Sequence, residues 1–172
     1  SILGFNSHLI LMNADEIDAW VELTCHHDLV VRFLEMMPVG EGASARLAQR
    51  YVDLTQVRRR LANELGIVPV EGVPGNGPAR YWRVPGARGV VGFITPVSDR
   101  YCDTCSRFRL TSTGELRPCL AYEVSVPLRD AARARDEALL EARFASAAAL
   151  KPLGHAWSEG ATTQIRMSRI GG

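Results

Sequence analysis

The first periodic pattern in the chain is helical. Asn13, followed three residues later by Glu16, matches the capping box that opens many helices. Side chains that can face a core then recur at helical intervals and share one face, at Ile17, Trp20, Val21 and Thr24. The pattern predicts an amphipathic helix that begins next to Asn13.

Strand-like segments lie on both sides of this helix. Leu29–Leu34 is a continuous apolar run interrupted only by Arg32, which is typical of a buried parallel strand. Ile2–Asn6 has the composition of a strand end that enters a loop. Together these segments predict a βαβ-like unit. Because one such unit cannot cover both faces of its strands, we expect most of its sheet to lie outside this chain.

A segment rich in proline and glycine, Pro38–Gly42, then interrupts the apolar pattern. The elements before it alternate strand and helix, whereas those after it are short and mixed. We therefore place a domain boundary here. Residues 1–40 are predicted to end an α/β sheet, and residues 41–172 to form an α+β domain.

The second part of the chain predicts two helices and two strand pairs. One helix covers Leu54–Leu65, ends at Gly66, and turns inward Leu54, Val57, Leu61 and Leu65. The strands are predicted over residues 80–84 and 90–95, and as a hairpin over residues 108–111 and 116–120. A last helix over residues 136–150, ended by Pro152, would bury Leu139, Leu140, Phe144, Ala147 and Ala148.

Composition and charge exclude several classes of protein. Hydrophobic residues make up 47% and charged residues 23% of the chain, which is globular composition. The net charge of +1 gives no reason to expect nucleic acid or an acidic membrane as a partner. No apolar run reaches membrane-spanning length and no signal peptide is evident, so we expect a cytoplasmic protein. The first residue is not Met, and we expect a fragment or a processed product.

Three of the four cysteines form a cluster that is typical of metal ligation. Cys102 and Cys105 form a C-x-x-C, and Cys119 follows fourteen residues later, where the predicted hairpin can return it to the first two. Three thiolates can hold a cubane iron–sulfur cluster and leave one iron open. A structural zinc site remains an alternative, although it would need a fourth ligand such as Cys25 or His155. A redox dithiol would leave Cys119 without a role.

Arginines accompany this cysteine cluster. Arg107 and Arg109 are two residues apart, so in a strand they share one face, and guanidiniums bind phosphate or carboxylate groups bidentately. An exposed basic strand face is the simpler interpretation. Arg32 interrupts a buried strand and needs a partner, which is either an internal salt bridge, for example to Glu35, or a bound anion.

The motifs resemble one protein family. The stretch from Gly92 to Leu120, GFITPVSDRYCDTCSRFRLTSTGELRPCL, resembles the C-terminal cluster motif of the GTP 3',8-cyclases, a radical S-adenosylmethionine family. The segments ARYWRVPGARGVVGFI, VRFLEMMPVGEG and MSRIGG resemble the same family and occur in its order. The resemblance therefore covers nearly the whole chain.

The resemblance implies a cluster and a fold. Cys102, Cys105 and Cys119 would ligate a 4Fe–4S cluster whose open iron meets the guanine of GTP. Residues 1–40 would be the last βα units of an incomplete parallel TIM-like barrel, and residues 41–172 the C-terminal domain that binds the cluster and GTP.

The resemblance also implies contacts with substrate and cofactor. Arg107, Phe108 and Arg109 would contact GTP, with the arginines toward the triphosphate, and Arg32 would help to bind it from inside the barrel. Met37 would lie against S-adenosylmethionine. The terminal Gly-Gly would reach into the active site.

The activity implied is the conversion of GTP to 3',8-cyclo-7,8-dihydro-GTP, the first step of molybdopterin cofactor biosynthesis. S-adenosylmethionine and a second 4Fe–4S cluster would be bound in an N-terminal part, whose C-x-x-x-C-x-x-C motif does not occur here. We therefore expect this chain to be inactive alone. Expected partners are GTP, a second copy in a homodimer, and a downstream cyclic pyranopterin monophosphate synthase. The alternative is a stand-alone iron–sulfur or zinc module that binds a nucleotide without catalysis.

Overall fold

A mixed sheet organises the first part of the chain in the computed structural model, which describes residues 3–9, 13–75 and 77–169. Its strands are β1 (Leu3–Leu9), β2 (Leu29–Glu35), β3 (Val68–Val70), β4 (Arg80–Arg83) and β5 (Val90–Ile94). They lie in the order β1-β2-β5-β4-β3. Strands β1, β2 and β5 are parallel, and β4 and β3 join the sheet antiparallel. At one edge of the sheet the pair β1–β2 is therefore parallel, and at the other edge the pair β4–β3 is antiparallel.

Packing divides the chain into two compact units. The first consists of residues 1–37 and 46–101, and the second of residues 38–45 and 102–172. The chain thus leaves the first unit close to the predicted boundary at residue 40 and then returns to it. The proposed division at residue 40 stays a prediction, since a packing unit and a domain need not coincide.

Helices cover the sheet of the first unit. Those that pack on its strands are α1 (Ile17–His26) and α3 (Leu54–Leu65), whereas the short α2 (Ala45–Ala48) has no buried residue. In the core, Val31 and Phe33 of β2 pair in register with Val91 and Phe93 of β5. Each of these four side chains is at most 1% exposed. Because the register places like-sized side chains side by side on one face, it gives the helices a continuous apolar surface to pack on.

The helix α3 has the bounds that its sequence predicts. Asp53 caps its start by accepting a hydrogen bond from the Thr55 amide at 2.8 Å, and Gly66 ends it in the left-handed conformation with φ of 64°. Leu54 and Leu61 are fully buried, as predicted. The prediction for Leu65 is wrong, because its side chain is 42% exposed at the last turn of the helix.

The start of α1 differs from its prediction. A 3-10 turn over Ala14–Glu16 precedes the helix, and the Asn13 side chain makes no capping bond. The Glu16 amide instead donates to the Asn13 carbonyl at 3.2 Å. The backbone therefore supplies the turn that the sequence assigned to a capping box.

Glu35 ends β2 as a fully buried carboxylate. It accepts hydrogen bonds from the amide of Leu54 at 3.2 Å and from the amides of Val97 and Ser98 at 2.9 and 3.0 Å. The Ser98 hydroxyl also donates to it. Burial, together with the nearby Glu35 carboxylate, raises the pKa of Tyr51. One side chain thus joins the end of β2, the start of α3 and the loop after β5.

A smaller sheet and two helices form the second unit. Its strands are β6 (Arg109–Leu110), β7 (Glu115–Arg117) and β8 (Val126–Pro127), joined in that order and antiparallel. The helices are α4 (Arg129–Ala134) and α5 (Glu137–Ala149). Their core contains Leu116, Val126, Leu128 and Ala147, with Leu140 packed against it.

The last helix was predicted in the right place but with too wide a buried face. Asp136 caps α5 by accepting from the Leu139 amide at 2.9 Å. Ala147 is fully buried, whereas Leu139 and Phe144 are 38% and 48% exposed. Only a narrow stripe of this helix packs on the three-stranded sheet, because small sheets offer little area.

The observed elements confirm the α/β class of the fold. The parallel pairing of β1 with β2, around α1, agrees with the predicted βαβ-like unit. The TIM-like barrel stays a prediction. Among the described helices, none is both long and apolar enough to cross a membrane.

Replacing Glu35 with Gln should destabilise the first unit strongly. The change removes the charge that three amides share, and hydrogen bonds to charged groups contribute about 1.5–3 kcal/mol each. We expect the free energy of unfolding to fall by on the order of 3 kcal/mol in urea denaturation followed by circular dichroism. Glu22→Gln on the exposed side of α1 is the matched control. Equal stability of the two variants would contradict the role of Glu35.

A pH-dependent contact should link α4 to α5. Arg143 donates to Asp130 at 2.8 Å and lowers the pKa of this carboxyl from 3.8 to about 2. Because the folded pKa lies below the ordinary value, the contact adds stability at neutral pH that is lost as the pH falls from 3.8 toward 2. In a carboxyl NMR titration, Arg143→Met should return the Asp130 midpoint toward 3.8, whereas Arg133→Met should leave it in place.

Candidate metal centre

A tight turn carries the first two predicted ligands. Residues Cys102–Thr104 form a 3-10 turn, and the Cys105 amide donates to the Cys102 carbonyl at 3.2 Å. All four cysteines of the chain are free and half-buried. The turn therefore presents two thiols from one compact piece of backbone, which is what the C-x-x-C spacing predicts.

The hairpin that follows returns the chain toward this turn. Arg109 of β6 faces Arg117 of β7 in register. The turn between them depends on Gly114, whose φ is 82° and where a Cβ would lie 2.8 Å from the Arg129 side chain. The hairpin was predicted at this position, although its strands are shorter than expected. Cys119 comes two residues after the end of β7.

Exposure alternates along the segment before and within β6. The side chains of Cys105, Arg107 and Arg109 are half-buried, whereas those that follow each of them are exposed, namely Ser106, Phe108 and Leu110. This two-residue period is that of an extended strand. The prediction that Arg107 and Arg109 share a face is consistent with this pattern, which also places Cys105 on that face.

The third predicted ligand lies in an anchored segment. The Cys119 sulfur accepts a hydrogen bond from the Ala121 amide at 3.4 Å. The Ala121 carbonyl accepts from the Thr163 hydroxyl at 2.7 Å, and the Tyr122 hydroxyl donates to the Gly154 carbonyl at 3.2 Å. Residues 154–163 thus hold the chain in place just after Cys119.

Arg117 is a site residue that sequence reasoning missed. It is only 4% exposed, and burial lowers its pKa, with Glu123 and Glu115 opposing that effect. Its guanidinium donates to the Tyr122 carbonyl, while its Nε has no hydrogen-bond partner among the described residues. The signal was available, because Arg117 precedes Cys119 by two residues and would share a face with it in an extended strand.

Lys151 is a second missed residue. Its Nζ donates to the carbonyls of Arg107 at 2.7 Å and Pro118 at 2.8 Å. The same nitrogen lies 5.1 Å from the centre of the Phe108 ring, within the range of a cation–π contact. The chain around the cysteines therefore carries several cations, which suits an anionic ligand.

The donor set fits a thiolate-bound cluster in its chemistry. Three free thiols, an N–H···S bond at Cys119 and a buried guanidinium with an unpaired Nε are what an anionic metal–thiolate group requires. Among residues 3–9, 13–75 and 77–169, however, no group of three His, Cys, Asp or Glu side chains is arranged to hold a metal ion. The ligand assignment stays a prediction.

The remaining predicted residues belong to the first unit. Arg32 of β2 is half-buried, and its Nε donates to the Tyr81 hydroxyl at 2.8 Å. Gly92 makes room for this pair, since a Cβ there would lie 2.8 Å from the Tyr81 ring. A salt bridge to Glu35 is not supported, because residues three apart in a strand face opposite sides and both side chains have other partners. Met37 is half-buried just beyond the end of β2.

The terminal Gly-Gly lies outside the described residues. The segment before it is tied to the second unit by the Ser112 amide, which donates to the Arg169 carbonyl at 3.1 Å.

The fold and the hairpin define the class of protein: an α/β protein in which a C-x-x-C turn and a β-hairpin carry three free cysteines among arginines. The chain belongs to the Molybdenum Cofactor Synthesis C family, whose sequence model matches residues 29–157. This range contains the residues predicted to contact the cluster, GTP and S-adenosylmethionine, but not the terminal Gly-Gly. The resemblance inferred from the motifs is confirmed.

Relatives of known name agree with this family. The GTP 3',8-cyclase of Petrotoga mobilis is 41% identical over 162 residues, which cover 94% of this chain and 50% of that protein. The GTP 3',8-cyclase of Pelotomaculum thermopropionicum is 42% identical over 165 residues, or 93% of this chain and 50% of the relative. That of Desulforamulus reducens is 32% identical over 177 residues, or 100% and 51%. The chain spans about half the length of the curated relatives it matches.

Proposed function

We propose that this chain forms the part of a GTP 3',8-cyclase that holds a 4Fe–4S cluster and binds GTP. The observation that supports the proposal is a continuous segment with two free thiols on one turn, two half-buried arginines beside them and a third free thiol just after the hairpin. The relatives named GTP 3',8-cyclase support the choice of substrate.

The ligands of the cluster would be Cys102, Cys105 and Cys119. When bound, the cluster would supply an iron site left open by the protein, to which the guanine of GTP can bind. The buried charge of Arg117 suits this role, because Glu123 and Glu115 only partly offset the effect of burial and a bound anion would stabilise the guanidinium further.

GTP binding would rest on charge and on an exposed ring. Arg107 and Arg109 would hold the triphosphate through bidentate hydrogen bonds. Phe108, at 36% exposure, would contact the nucleotide from the opposite side of the strand. Arg32 would add a further contact to GTP, and Met37 would contact S-adenosylmethionine.

The complete reaction would convert GTP to 3',8-cyclo-7,8-dihydro-GTP, in the first step of molybdopterin cofactor biosynthesis. Because this chain spans about half of its relatives, the second cluster and most of the S-adenosylmethionine site would belong to the other half. The TIM-like barrel, a homodimer and a downstream cyclic pyranopterin monophosphate synthase stay part of the proposal. This chain alone would bind GTP without converting it.

Anaerobic reconstitution tests the cluster. We expect about four irons and four sulfides per chain, the content of one cubane cluster. Alanine at Cys102, Cys105 or Cys119 should abolish it, because two thiolates cannot hold the cluster firmly. Metal and sulfide analysis with an absorption spectrum measures the result.

Cys25→Ala is the matched control, since Cys25 lies on α1 in the first unit and should keep full iron content. Stoichiometric zinc without iron would instead support the alternative of a zinc-binding nucleotide module.

Titration calorimetry with GTP tests the arginines. Replacing Arg107 or Arg109 with Ala should weaken binding by about 1.5–3 kcal/mol, the range for a hydrogen bond to a charged group. Lys should restore binding only partly, because an ammonium cannot form the two-point contact. GTP should also bind more tightly than guanosine, and salt should reduce this preference.

Arg133→Ala on the exposed side of α4 is the control for a general change in charge. If the double variant of Arg107 and Arg109 binds GTP as tightly as the parent, these residues are surface charge and the substrate assignment is wrong, although the metal assignment would stand.

A further inference from the structure

Lys151 is the only lysine among the 20 Lys and Arg residues of the chain. It follows the last turn of α5, where its amide donates to the Ala148 carbonyl at 3.1 Å, and it precedes Pro152. The end of a helix and a proline therefore fix the backbone from which its side chain extends. A chain that otherwise uses arginine throughout has a lysine at this one position.

The side chain of Lys151 reaches the open end of the cysteine hairpin. The pairing of β6 with β7 stops at Arg109 and Arg117. The next residue on the second strand is Pro118, which has no amide hydrogen to donate to the facing strand. Two carbonyls at this end, of Arg107 and Pro118, accept from the Lys151 ammonium instead, at 2.7 and 2.8 Å.

An ammonium suits this position better than a guanidinium. It is a compact charge with three donors that can point to acceptors on different strands, whereas a guanidinium presents its donors in one plane. The Phe108 ring, 5.1 Å from Nζ, shields one side of the charge. Lys151 thus joins the two strands through two charge-assisted hydrogen bonds at the point where they form no further backbone hydrogen bond with each other.

The two carbonyls lie next to the predicted ligands in sequence. Arg107 comes two residues after Cys105, and Pro118 comes directly before Cys119. We propose that Lys151 is a positioning residue, which fixes the distance between the segments that carry Cys105 and Cys119 and brings a positive charge to the thiolate site. We call the two hydrogen bonds from Lys151 to the carbonyls of Arg107 and Pro118 the clamp. The effect of the clamp on a cluster rests on the proposed function, whereas the clamp itself does not.

The clamp can be tested in the chain without metal. Because there is one lysine, a sample labelled with ¹⁵N-lysine gives a single side-chain Nζ signal. We expect its ammonium protons to exchange slowly with water, since two of them are hydrogen-bonded. Exchange as fast as that of free lysine in the folded chain would overturn the proposal whether or not a cluster binds.

The effect on the cluster is tested with Lys151→Met and Lys151→Arg after anaerobic reconstitution. Lys151→Met should lose iron to a chelator faster, with an affinity about 10–100-fold lower, the range for residues that support metal ligands. Reduction by dithionite adds one electron to the cluster, so removing a nearby cation should shift the potential to a lower value. Lys151→Arg keeps the charge and should restore the potential more fully than the affinity.

Arg133→Met, which removes an exposed charge from the same unit, should change neither quantity. Circular dichroism of each variant excludes a general folding defect. If the parent binds the cluster and Lys151→Met matches it in both iron retention and potential, the role of Lys151 is wrong and the proposed function stands. If the parent binds no cluster, the proposed function is wrong, and the lysine exchange experiment still decides the clamp.

Discussion

The arrangement of the first unit depends on one buried carboxylate. Glu35 is fully buried at the end of β2, where an unpaired charge would cost several kcal/mol. Donors from two other segments make the position tolerable: the amide of Leu54 at the start of α3, and Val97 and Ser98 in the loop after β5. Because the carboxylate needs these donors, the three segments can only pack together in a way that presents them.

The segments that Glu35 holds lead to two predicted site residues. Met37 follows Glu35 by two residues, and Ser98 precedes Cys102 by four. The carboxylate therefore fixes the strand end that leads to one predicted cofactor contact and the loop that leads to the first predicted metal ligand. Burial also raises the pKa of Tyr51 beside it, so the phenol stays protonated in the presence of the Glu35 charge. The charge of Glu35 therefore holds neighbouring backbone segments in place and has no part in a reaction.

In the second unit, cationic side chains connect backbone segments, as Glu35 does in the first. Arg117 is buried two residues before Cys119, and Lys151 joins the two strands that Pro118 prevents from pairing further. The proposed ligands of this hairpin, a thiolate-bound cluster and a triphosphate, are both anionic, so the proposed site needs positive charge and strands that are held together. Lys151 contacts both strands through one side chain, and Arg107 and Arg109 are half-buried on the same segment.

Sequence alone determined the features that rest on local spacing. The bounds of α3 follow from its period and from Gly66, and the apolar run around Arg32 marked β2. The family could be predicted from contiguous segments, above all the stretch from Gly92 to Leu120, whereas the cysteine spacing by itself left zinc as an alternative.

Only the tertiary structure decided the features that join distant segments. Strand β5 pairs with β2 across about sixty residues, and Glu35 meets Ser98 at a separation of 63 residues. Lys151 contacts Arg107 and Pro118 at separations of 44 and 33 residues. A periodic pattern reports which face of an element is buried and not which partner buries it. Leu65 and Phe144 were predicted to face inward and are exposed, because the periodic pattern does not show whether another element covers the apolar face.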